Sequence, residues 1–548
     1  MSTKSEKYQG GSEPPKMSGG LPYFGHMFQF ALNPYHFTQK VADKMGEIAS
    51  FVLLGQRIVL LTGDEASALF YRSSDEQLDQ SAAYKLMTPI FGEGLVFDAP
   101  LHIKDQQLKM IMPSLRMEAM KGHSQKIVLE VEDSISHWGQ TGQVELVEFM
   151  KQLTINTASH CLLGKEFRYE LTDEFSDIYH DLEKGVNPLA YHFPNLPIPS
   201  FKKRDKARAR LQELVGEIVE KRKSQTEKPD DMFQSFIDAA YEDGTTLDAN
   251  EITGMLVGAI FAGHHTSSGT AAWVLIELLK HPHLMRAVNK ELDELLGSDG
   301  EVTFQSLREM PMLENVLKEV LRLHPPLIIL MRQVSENIHF KDYTIEEGDM
   351  VWACPPVTHR YSKLFSNPER FDPDRFSAER REDKNLMAYQ PFGGGKHKCS
   401  GNAFAMFQIK AIFAILLRRY EFELVDPADS YVDNYKEMIV QPLSPCRIRF
   451  KQRDASSFTS KLGKSKENNA KQCPMHQKAY NKKVVVDTGL CQGHAVCMGE
   501  APTHFAVNEQ SELSIIKDAV TDDELAAVQK AIQFCPNQAL SLIKEEAS

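Results

Sequence analysis

The chain has 548 residues, too many for one ordinary hydrophobic core, so a large domain and a smaller one are expected. Its 42% hydrophobic and 25% charged residues are typical of a globular protein and exclude a fibrous or disordered one. The formal net charge of −13 argues against nucleic acid as the main partner, because phosphate-binding surfaces are normally basic.

The N-terminal residues, MSTKSEKYQGGSEPPKMSGG, lack the apolar run of a secretory signal. Later apolar runs such as Ala411–Leu417 are too short to cross a bilayer, so no transmembrane anchor is expected. The 8 cysteines are too few for a disulfide framework in a chain of this size. Together these features predict a cytoplasmic protein in a reducing compartment.

Helical periodicity dominates the chain from about Gly19 to Phe450. Apolar residues recur at helical spacing in Gln125–Trp138, Leu211–Ser224, Glu251–Lys280 and Asn402–Tyr420. Short β-type runs occur at Ile48–Leu54, Arg57–Leu61 and Arg447–Phe450. The pattern predicts a domain over residues 1–452 that is mainly α with small β-sheets.

The composition changes at residues 453–480, which are rich in Ser, Lys, Asn and Gln and poor in aliphatic residues. This segment is predicted to be a flexible linker that spans roughly 30 Å on average. Pattern returns with strand-like runs at Lys483–Val486 and Glu512–Ile516, and a helix is predicted over Thr521–Phe534 with Thr521 as its N-cap. Residues 481–548 are therefore expected to form a small α+β domain.

Cys399 follows a glycine-rich turn and precedes a predicted helix. Glycines allow the backbone to pack closely against a flat ligand. A helix start lowers the pKa of a nearby thiol through its dipole and free N–H groups, which favours the thiolate. A cysteinate held in this way can ligate haem iron. On this segment alone, an inert cysteine in a glycine-rich turn is an equal alternative.

The segment from Phe392 to Gly401 resembles the cytochrome P-450 signature F-x-x-G-x-[HR]-x-C-x-G. Upstream, Glu319 and Arg322 resemble the E-x-x-R pair of that superfamily, and their spacing puts both charges on one helix face. Arg375, in Phe-Asp-Pro-Asp-Arg-Phe, resembles the arginine that closes this charge network. A surface ion pair is the alternative for the pair taken alone. Three signatures in this order imply the cytochrome P-450 fold, with Cys399 as axial ligand of the haem iron.

Polar residues interrupt an apolar helix at Ala262-Gly-His-His-Thr-Ser-Ser268, and a glycine among them is costly inside a helix. In the superfamily this stretch bends the helix over the haem and leaves room for dioxygen, and Thr266 matches the threonine that helps to deliver protons. His265 stands where an acid is usual; it titrates near neutral pH and can relay protons. A helix kink with two hydrogen-bonded histidines is the alternative.

The order of these polar residues resembles the sterol 14α-demethylase family, and the resemblance extends from about Leu21 to Phe450. It includes the segments Tyr84–Asp98 and Leu317–Arg332. It implies haem b, a long apolar pocket, and removal of the 14α-methyl group of a lanosterol-like sterol as formate by three successive O2-dependent oxidations. Leucine at position 86 is similar to the animal and fungal pattern, which accepts 4,4-dimethyl sterols. Peripheral membrane contact stays open as a route to the sterol.

The same resemblance implies the site residues. Those expected to bind haem are Tyr84, Arg332, His397, Phe392 and Gly393. Those expected to line the substrate pocket are Tyr84, Leu86, Met87, Phe91, Phe261, Ala262, Leu327 and Met438, with ordinary core packing as the alternative for each. The helix after Asp98 departs from the family pattern, which usually has basic residues there for a haem propionate. Gln107 or Lys109 could substitute.

Cys491, Cys497 and Cys535 form a second pattern, in which Cys535 precedes a proline. It resembles the C-x2-C-x2-C and distant Cys-Pro motif of bacterial ferredoxins, with His494 at the middle cysteine position. Three thiolates suit a [3Fe–4S] cluster like that of the ferredoxins that serve bacterial cytochromes P-450. The alternatives are a [4Fe–4S] cluster with His494 as fourth ligand, and zinc held by the three cysteines and the histidine.

The residues from Lys482 to the C-terminus carry a net charge of −5, whereas Lys396 and Lys398 flank Cys399. We expect opposite charge to steer docking, and a tether to raise the effective concentration to the order of millimolar. The tail is thus predicted to be a built-in electron donor. No flavin or nucleotide fingerprint is visible, so a separate NAD(P)H-dependent ferredoxin reductase is expected. Alternative functions are a cytochrome P-450 hydroxylase of another terpenoid or lipid, and an electron carrier or sensor with a non-catalytic haem domain.

Overall fold

The computed structural model describes residues 11–186, 190, 193–297, 300–454, 480–488, 491, 493–508, 511–521, 523–535 and 539–546. The helices are α1 (Met27–Leu32), α2 (Pro34–Met45), α3 (Gly63–Arg72), α4 (Thr88–Phe91), α5 (Leu101–Ile111), α6 (Met117–Ile135), α7 (Leu146–Ala158), α8 (Thr172–Glu183), α9 (Pro199–Lys223), α10 (Met232–Asp238), α11 (Ala249–Lys280), α12 (Pro282–Leu296), α13 (Phe304–Arg308), α14 (Pro311–Leu323), α15 (Pro355–Thr358), α16 (Asn402–Arg419), α17 (Val496–Glu500) and α18 (Leu525–Phe534). The strands are β1 (Ile48–Leu53), β2 (Gln56–Leu61), β3 (Leu78–Asp79), β4 (Thr141–Glu145), β5 (Leu330–Val334), β6 (Ile338–Phe340), β7 (Tyr343–Ile345), β8 (Met350–Ala353), β9 (Tyr420–Leu424), β10 (Arg447–Gln452), β11 (Tyr480–Val486), β12 (Phe505–Val507), β13 (Leu513–Ile515), β14 (Ala519–Val520) and β15 (Leu540–Glu546).

The large domain is mainly helical with small sheets, which confirms the predicted fold class. The four helices expected from periodicity are α6, α9, α11 and α16, with shifted ends. α9 begins earlier than the apolar pattern because Pro199 occupies its first turn, where a proline is tolerated. α11 begins with a capping box in which Asp248 accepts from the backbone N–H of Glu251 and the Glu251 carboxylate accepts from that of Asp248.

The sheets are small and lie at the edges of the helical core. The largest has the strand order β1-β2-β8-β5-β3, and a three-stranded sheet has the order β4-β10-β9. β1 and β2 form an antiparallel hairpin, and β8 pairs with β2 in parallel. This arrangement puts β5, which carries Arg332, next to β3, in the segment between α3 and α5.

α11 is the central helix of the core. Its residues are buried almost all round, from Ile252 to Leu278, and it packs against α7, α9 and α14. A helix that is apolar on every face is expected in such a position. The polar stretch Ala262–Ser268 therefore lies in the interior of the fold, where each of its side chains needs a partner or an open space.

The C-terminal domain has its own small core around Val484, Phe505, Val528 and Leu540. A sheet of order β14-β11-β15 and the hairpin of β12 and β13 surround it, which confirms the α+β class. Thr521 is not the N-cap of α18, contrary to the prediction. Its backbone N–H and hydroxyl both donate to the Glu524 carboxylate, at 3.2 and 2.7 Å, and the helix begins only after Glu524.

Most of the predicted linker, residues 455–479, lies outside the described residues, as does Cys473. Arg453, which precedes it, donates to the carbonyl of Leu417 at 2.9 Å and pairs with Asp293 at 3.1 Å. In the described part of the chain, Gly395–Arg419 is the one stretch that is long and apolar enough to cross a membrane. Because 67% of its apolar window is buried in the protein, it has the character of a core helix.

A buried charge network joins α14 to the segment after it. The Glu319 carboxylate accepts from Arg322 at 2.8 and 2.9 Å and from Arg375 at 3.0 and 3.1 Å. All three side chains are fully buried. Arg375 also pairs with Glu382 at 2.7 Å. The alternative of a surface ion pair is therefore wrong, since nothing in this network reaches solvent except the edge of Glu382.

Removing one member of this network should strongly destabilise the fold. Arg375→Ala leaves the buried Glu319 carboxylate with half of its arginine donors, so we expect a loss of about 3–5 kcal/mol in the free energy of unfolding. The exposed Arg210, which pairs with Glu174, is the control, and Arg210→Ala should leave the free energy of unfolding nearly unchanged. Urea denaturation measures both variants. Equal losses for both would contradict the assigned role.

Candidate functional site

The turn that presents Cys399 is built on glycine. Gly395 has φ +63°, and a Cβ atom there would lie 1.8 Å from the carbonyl oxygen of Tyr71, so no other residue fits. The backbone N–H of Cys399 donates to the carbonyl of Phe392 at 2.9 Å and closes the turn. α16 begins three residues later, at Asn402. The turn thus packs on α3 and holds Cys399 just before a helix.

The Cys399 side chain faces an enclosed space. It is exposed, yet the surrounding protein is dense enough that burial raises the pKa of its thiol. The N–H of Gly401 and the charge of Lys398 oppose this shift without reversing it. The expectation that the helix start lowers this pKa is wrong for the protein alone, because burial outweighs it. An accessible sulfur inside the fold, however, suits ligation of an iron atom, which itself favours the thiolate.

Basic side chains gather beside this turn. Arg332 is buried and donates to the carbonyl of Phe70 at 3.1 Å, while its Nε has no hydrogen-bond partner among the described residues. Lys104 is also buried and donates to Gln80 at 2.9 Å, and burial lowers the pKa of both cations. His397 contacts the Asp75 carboxylate. Two buried cations and an unsatisfied donor fit a ligand with carboxylate groups, as a haem has.

Gln107 and Lys109, the residues of α5 suggested as substitutes, are not among the side chains gathered beside the Cys399 turn. The Gln107 amide is already satisfied by the N–H of Val96 at 2.9 Å and the carbonyl of Gly94 at 3.1 Å. Lys109 is about half exposed and lies 3.8 Å from Glu512 of the C-terminal domain. Lys104 was missed, although it lies three positions before Gln107 on the same buried helix face, which is the signal that could have identified it.

The polar stretch of α11 has specific partners. His265 contacts the carboxylate of Glu183, at the end of α8. His264 is buried and hydrogen-bonds Thr154 at 3.1 Å, and burial holds the pKa of its ring well below the usual value. Thr266 donates to the carbonyl of Ala262 at 2.8 Å. Glu183 is a functional residue that sequence reasoning missed, because it is far from His265 along the chain.

α11 keeps helical geometry throughout, so the bend expected at this stretch is not a break in the helix. Instead, an open space lies beside it. Ala262 is exposed although it lies in a buried helix, and a Cβ atom on Gly263 would meet nothing within 4 Å. A side chain at position 263 would project into this open space, whereas glycine leaves it free. A flat cofactor between this helix and Cys399 would have that room.

Three of the predicted pocket residues form a row of aromatic rings. Tyr84 stacks on Phe97 with centroids 4.8 Å apart, Phe97 lies 6.0 Å from Phe91, and Phe91 lies 6.3 Å from Phe261. The Tyr84 hydroxyl also accepts from the N–H of Met331 at 3.4 Å, beside Arg332. Phe97, the residue in the middle of the row, was not among the predicted site residues.

The other predicted pocket residues differ in burial. Leu327 and Met438 are exposed by 43% and 48%, which is unusual for large apolar side chains and excludes ordinary core packing for them. Met87 is half-buried against the main core. Leu86 is buried in a small cluster with Ala190 and Phe201, so its side chain meets other protein groups.

The three C-terminal cysteines come together as predicted. Cys491, Cys497 and Cys535 line one small cavity, and His494 lines it too. Burial and the two neighbouring thiols raise the pKa of Cys497 to about 12. His494 is buried with neither ring nitrogen hydrogen-bonded within the described residues, and burial, then Lys398 and Arg116, lower its pKa to about 4. Pro536 lies outside the described residues.

Residues 14–450 match the family described as Cytochrome P450. The chain belongs to the cytochrome P450 family. Residues 486–542 match the 4Fe-4S single cluster domain of Ferredoxin I, so this cytochrome P450 carries a ferredoxin-type domain at its C-terminal side. The two families imply a haem and an iron–sulfur cluster. Iron rather than zinc is therefore the metal that the cysteine cavity calls for.

Within the cytochrome P450 family, the chain is similar to sterol 14α-demethylases. The chain is 46% identical to the sterol 14alpha-demethylase of Mycolicibacterium vanbaalenii over 446 residues, which cover 80% of this chain and 98% of the relative. It is 36% identical to the human lanosterol 14-alpha demethylase over 447 residues, covering 81% and 87%. A solved structure, the retinoic acid bound cyanobacterial CYP120A1, superposes with a TM-score of 0.72 at 23% identity, over 81% of this chain and all of that one, and supports the fold alone.

Proposed function

We propose that this cytochrome P450 is a sterol 14α-demethylase, which removes the 14α-methyl group of a lanosterol-like sterol as formate in three O2-dependent oxidations. The observation that carries the proposal is the 46% identity over nearly the whole length of a bacterial sterol 14alpha-demethylase. The methyl group would become an alcohol, then an aldehyde, and then leave as formate with a new double bond in the ring.

The haem of this enzyme would be held from several sides. Cys399 would supply the thiolate that binds the haem iron, and Phe392 and Gly393, in the same glycine-rich turn, would contact the haem. Arg332, Tyr84 and His397 are proposed partners of its carboxylates, together with Lys104, which replaces Gln107 and Lys109 in that role. When bound, a thiolate-ligated haem supplies the activation of dioxygen. Everything else in the site binds, orients or moves protons.

Protons would reach the site along α11. His265 can hold a proton between the Glu183 carboxylate, which it contacts, and the interior, because one nitrogen of an imidazole can accept a proton while the other donates one. Thr266, one residue further on, carries a hydroxyl that can pass a proton on and take another. His264 is held neutral by burial and bonded to Thr154, so it positions the helix instead.

The sterol pocket is proposed to lie along the aromatic row. Rings of Tyr84, Phe91 and Phe261 would contact the flat apolar sterol, and the exposed Leu327 and Met438 would lose their solvent contact on binding. Ala262 borders the open space beside α11. Leu86 packs against Ala190 and Phe201, so its influence on substrate choice is exerted through the shape of the wall.

The C-terminal domain is proposed to be the electron donor. We place the boundaries of the haem domain at 1–452, the linker at 453–480 and the ferredoxin domain at 481–548. Three cysteines around one cavity support a [3Fe–4S] cluster. His494, whose ring nitrogens have no hydrogen-bond partner among the described residues, would be the fourth ligand in the alternative [4Fe–4S] form. A separate NAD(P)H-dependent ferredoxin reductase would supply the electrons to this cluster.

The activity is tested with the complete protein, a ferredoxin reductase, NADPH and lanosterol. We expect formate and a 14-demethylated sterol. Cys399→Ser should abolish both products and the thiolate-type Soret shift of the reduced carbon monoxide complex. Cys446→Ala, which alters a buried cysteine elsewhere in the core, should keep them. Oxidation of another terpenoid or lipid with none of lanosterol would overturn the proposal.

The proton route is tested with Glu183→Gln. Removing the charge beside His265 should lower demethylation by about 10²-fold and raise the NADPH consumed per product, because oxygen chemistry then lacks its protons. Glu174→Gln on the same helix is the matched control, since that exposed carboxylate pairs only with surface Arg210 among the described contacts. An equal amount of NADPH consumed per product in both variants would show that Glu183 does not belong to the proton route.

The cluster type is tested by electron paramagnetic resonance of the oxidised protein. An oxidised [3Fe–4S] cluster has an odd electron count and gives a signal, distinct from that of the ferric haem, whereas an oxidised [4Fe–4S] cluster of the ferredoxin type is silent. We expect both the cluster signal and the haem signal in the native protein and also in His494→Ala. A native protein with the haem signal alone, which gains the cluster signal in His494→Ala, would instead establish His494 as a fourth iron ligand.

A further inference from the structure

The ferredoxin domain packs on the haem domain through contacts on two sides of the cluster cavity. On one side, the Arg116 guanidinium donates to the carbonyl of Asn508 at 3.0 Å and to the hydroxyl of Ser511 at 2.8 Å. Ser511 packs on Gly493 of the cysteine loop, where a Cβ atom would lie 1.9 Å from the Ser511 carbonyl oxygen. Arg116 therefore holds the segment of Asn508 and Ser511, on which the loop that carries Cys491 packs.

On the other side, Arg308 at the end of α13 is enclosed by the ferredoxin domain. Its guanidinium lies 2.7 Å from the Glu500 carboxylate and 3.8 Å from the ring centroid of Phe534. Both charged side chains are largely buried, with 9% and 13% of their surface exposed. Phe534 directly precedes Cys535. The arginine is thus held at the ends of α17 and α18, next to a cluster cysteine.

The cluster cavity lies near the haem turn. Lys398, which precedes Cys399, is close enough to Cys535 for the charges of both cysteines to act on its pKa. Close packing supports the same arrangement, because a Cβ atom on Gly499 would lie 2.1 Å from the methyl carbon of Met117 at the start of α6.

The charge of the interface has the predicted sign, but only one of the two predicted lysines takes part. Lys398 lies near Cys535, whereas Lys396 pairs with Asp75 at 3.1 Å and Asp105 at 2.8 Å within the haem domain. Among the described residues, Arg116, Arg308 and, more loosely, Lys109 also meet the acidic domain. Arginine suits this task because its planar fork can pair with a carboxylate and stack on a ring together.

We propose that Arg308 and Arg116 are the docking anchors that hold the ferredoxin domain in its electron-donating position, with the cluster cavity against the Cys399 turn. The proposal rests on the proposed role of this domain as electron donor and specifies the surface that it uses. Reversing one charge of a largely desolvated pair leaves the other charge buried beside a like charge, which weakens the interface. Loss of the pair should let the domain move away on its linker, and electron transfer slows steeply with distance.

The test is a charge swap in the complete, cofactor-loaded protein. Flash photoreduction by a soluble deazaflavin under carbon monoxide follows cluster reoxidation and haem reduction in the same trace. Arg308→Glu and Glu500→Arg should each slow cluster-to-haem transfer by at least about tenfold. The double variant should recover most of the rate but not all, because a carboxylate at position 308 cannot stack on Phe534. Arg210→Glu, far from the interface on exposed α9, should leave the rate unchanged.

The outcomes separate the interface from the function. Unchanged cluster and carbon monoxide spectra in every variant, together with recovery in the double variant, would establish the anchor, since a misfolded protein recovers nothing. Native rates in both single variants would overturn the anchor and leave the donor role intact. Loss of rate in both singles without recovery in the double also overturns it. If the native cluster never reduces the haem, the donor role itself fails.

Discussion

The buried carboxylate of Glu319 is the constraint on which the haem turn depends. Arg322, held by this carboxylate, donates to the carbonyl of His359 at 2.8 Å, and the His359 ring in turn accepts from the N–H of Gln390 at 3.0 Å. Gln390 lies two residues before Phe392, where the glycine-rich turn starts. A chain of hydrogen bonds thus runs from one fully buried acid to the loop that presents Cys399. Breaking this chain at Glu319 would be costly, because a buried charge that loses its partner has no water to solvate it.

The same fold brings two redox centres together through a different kind of contact. The haem turn is held by an interior network, whereas the ferredoxin domain is held by arginines that would face solvent without it. A broken interior pair leaves a charge buried, whereas Arg308 and Glu500 are buried only where the two domains meet and both regain water when the domain leaves, so this contact can open at lower cost. An electron donor that must also meet a reductase suits the second kind of contact.

Much of this was predictable from sequence, because the decisive residues are close together in the chain. Cys399 with its glycines, the pair of Glu319 and Arg322, and the cluster cysteines all lie in short motifs, and helix periodicity identified α11 and α16. Glu183 and Arg308 were not found, because each acts through a contact with a residue distant in sequence, and local spacing carries no information about such contacts. Lys104 and Phe97 were also missed, although helix spacing from Gln107 could have identified Lys104. The expected pKa of Cys399 was wrong for a related reason, since burial depends on the whole fold.

The stacking of Arg308 on Phe534 links the contact between the domains to the segment that carries a cluster cysteine. Phe534 sits on the last turn before a cluster cysteine, so the residue that helps to shape the cluster loop also forms part of the joint between domains. A foreign ferredoxin grafted onto this chain would need an acid at the end of its first short helix and an aromatic residue ahead of its last cysteine. The contact between the domains therefore limits which ferredoxins can replace this one in the fused protein, whether by evolution or by design.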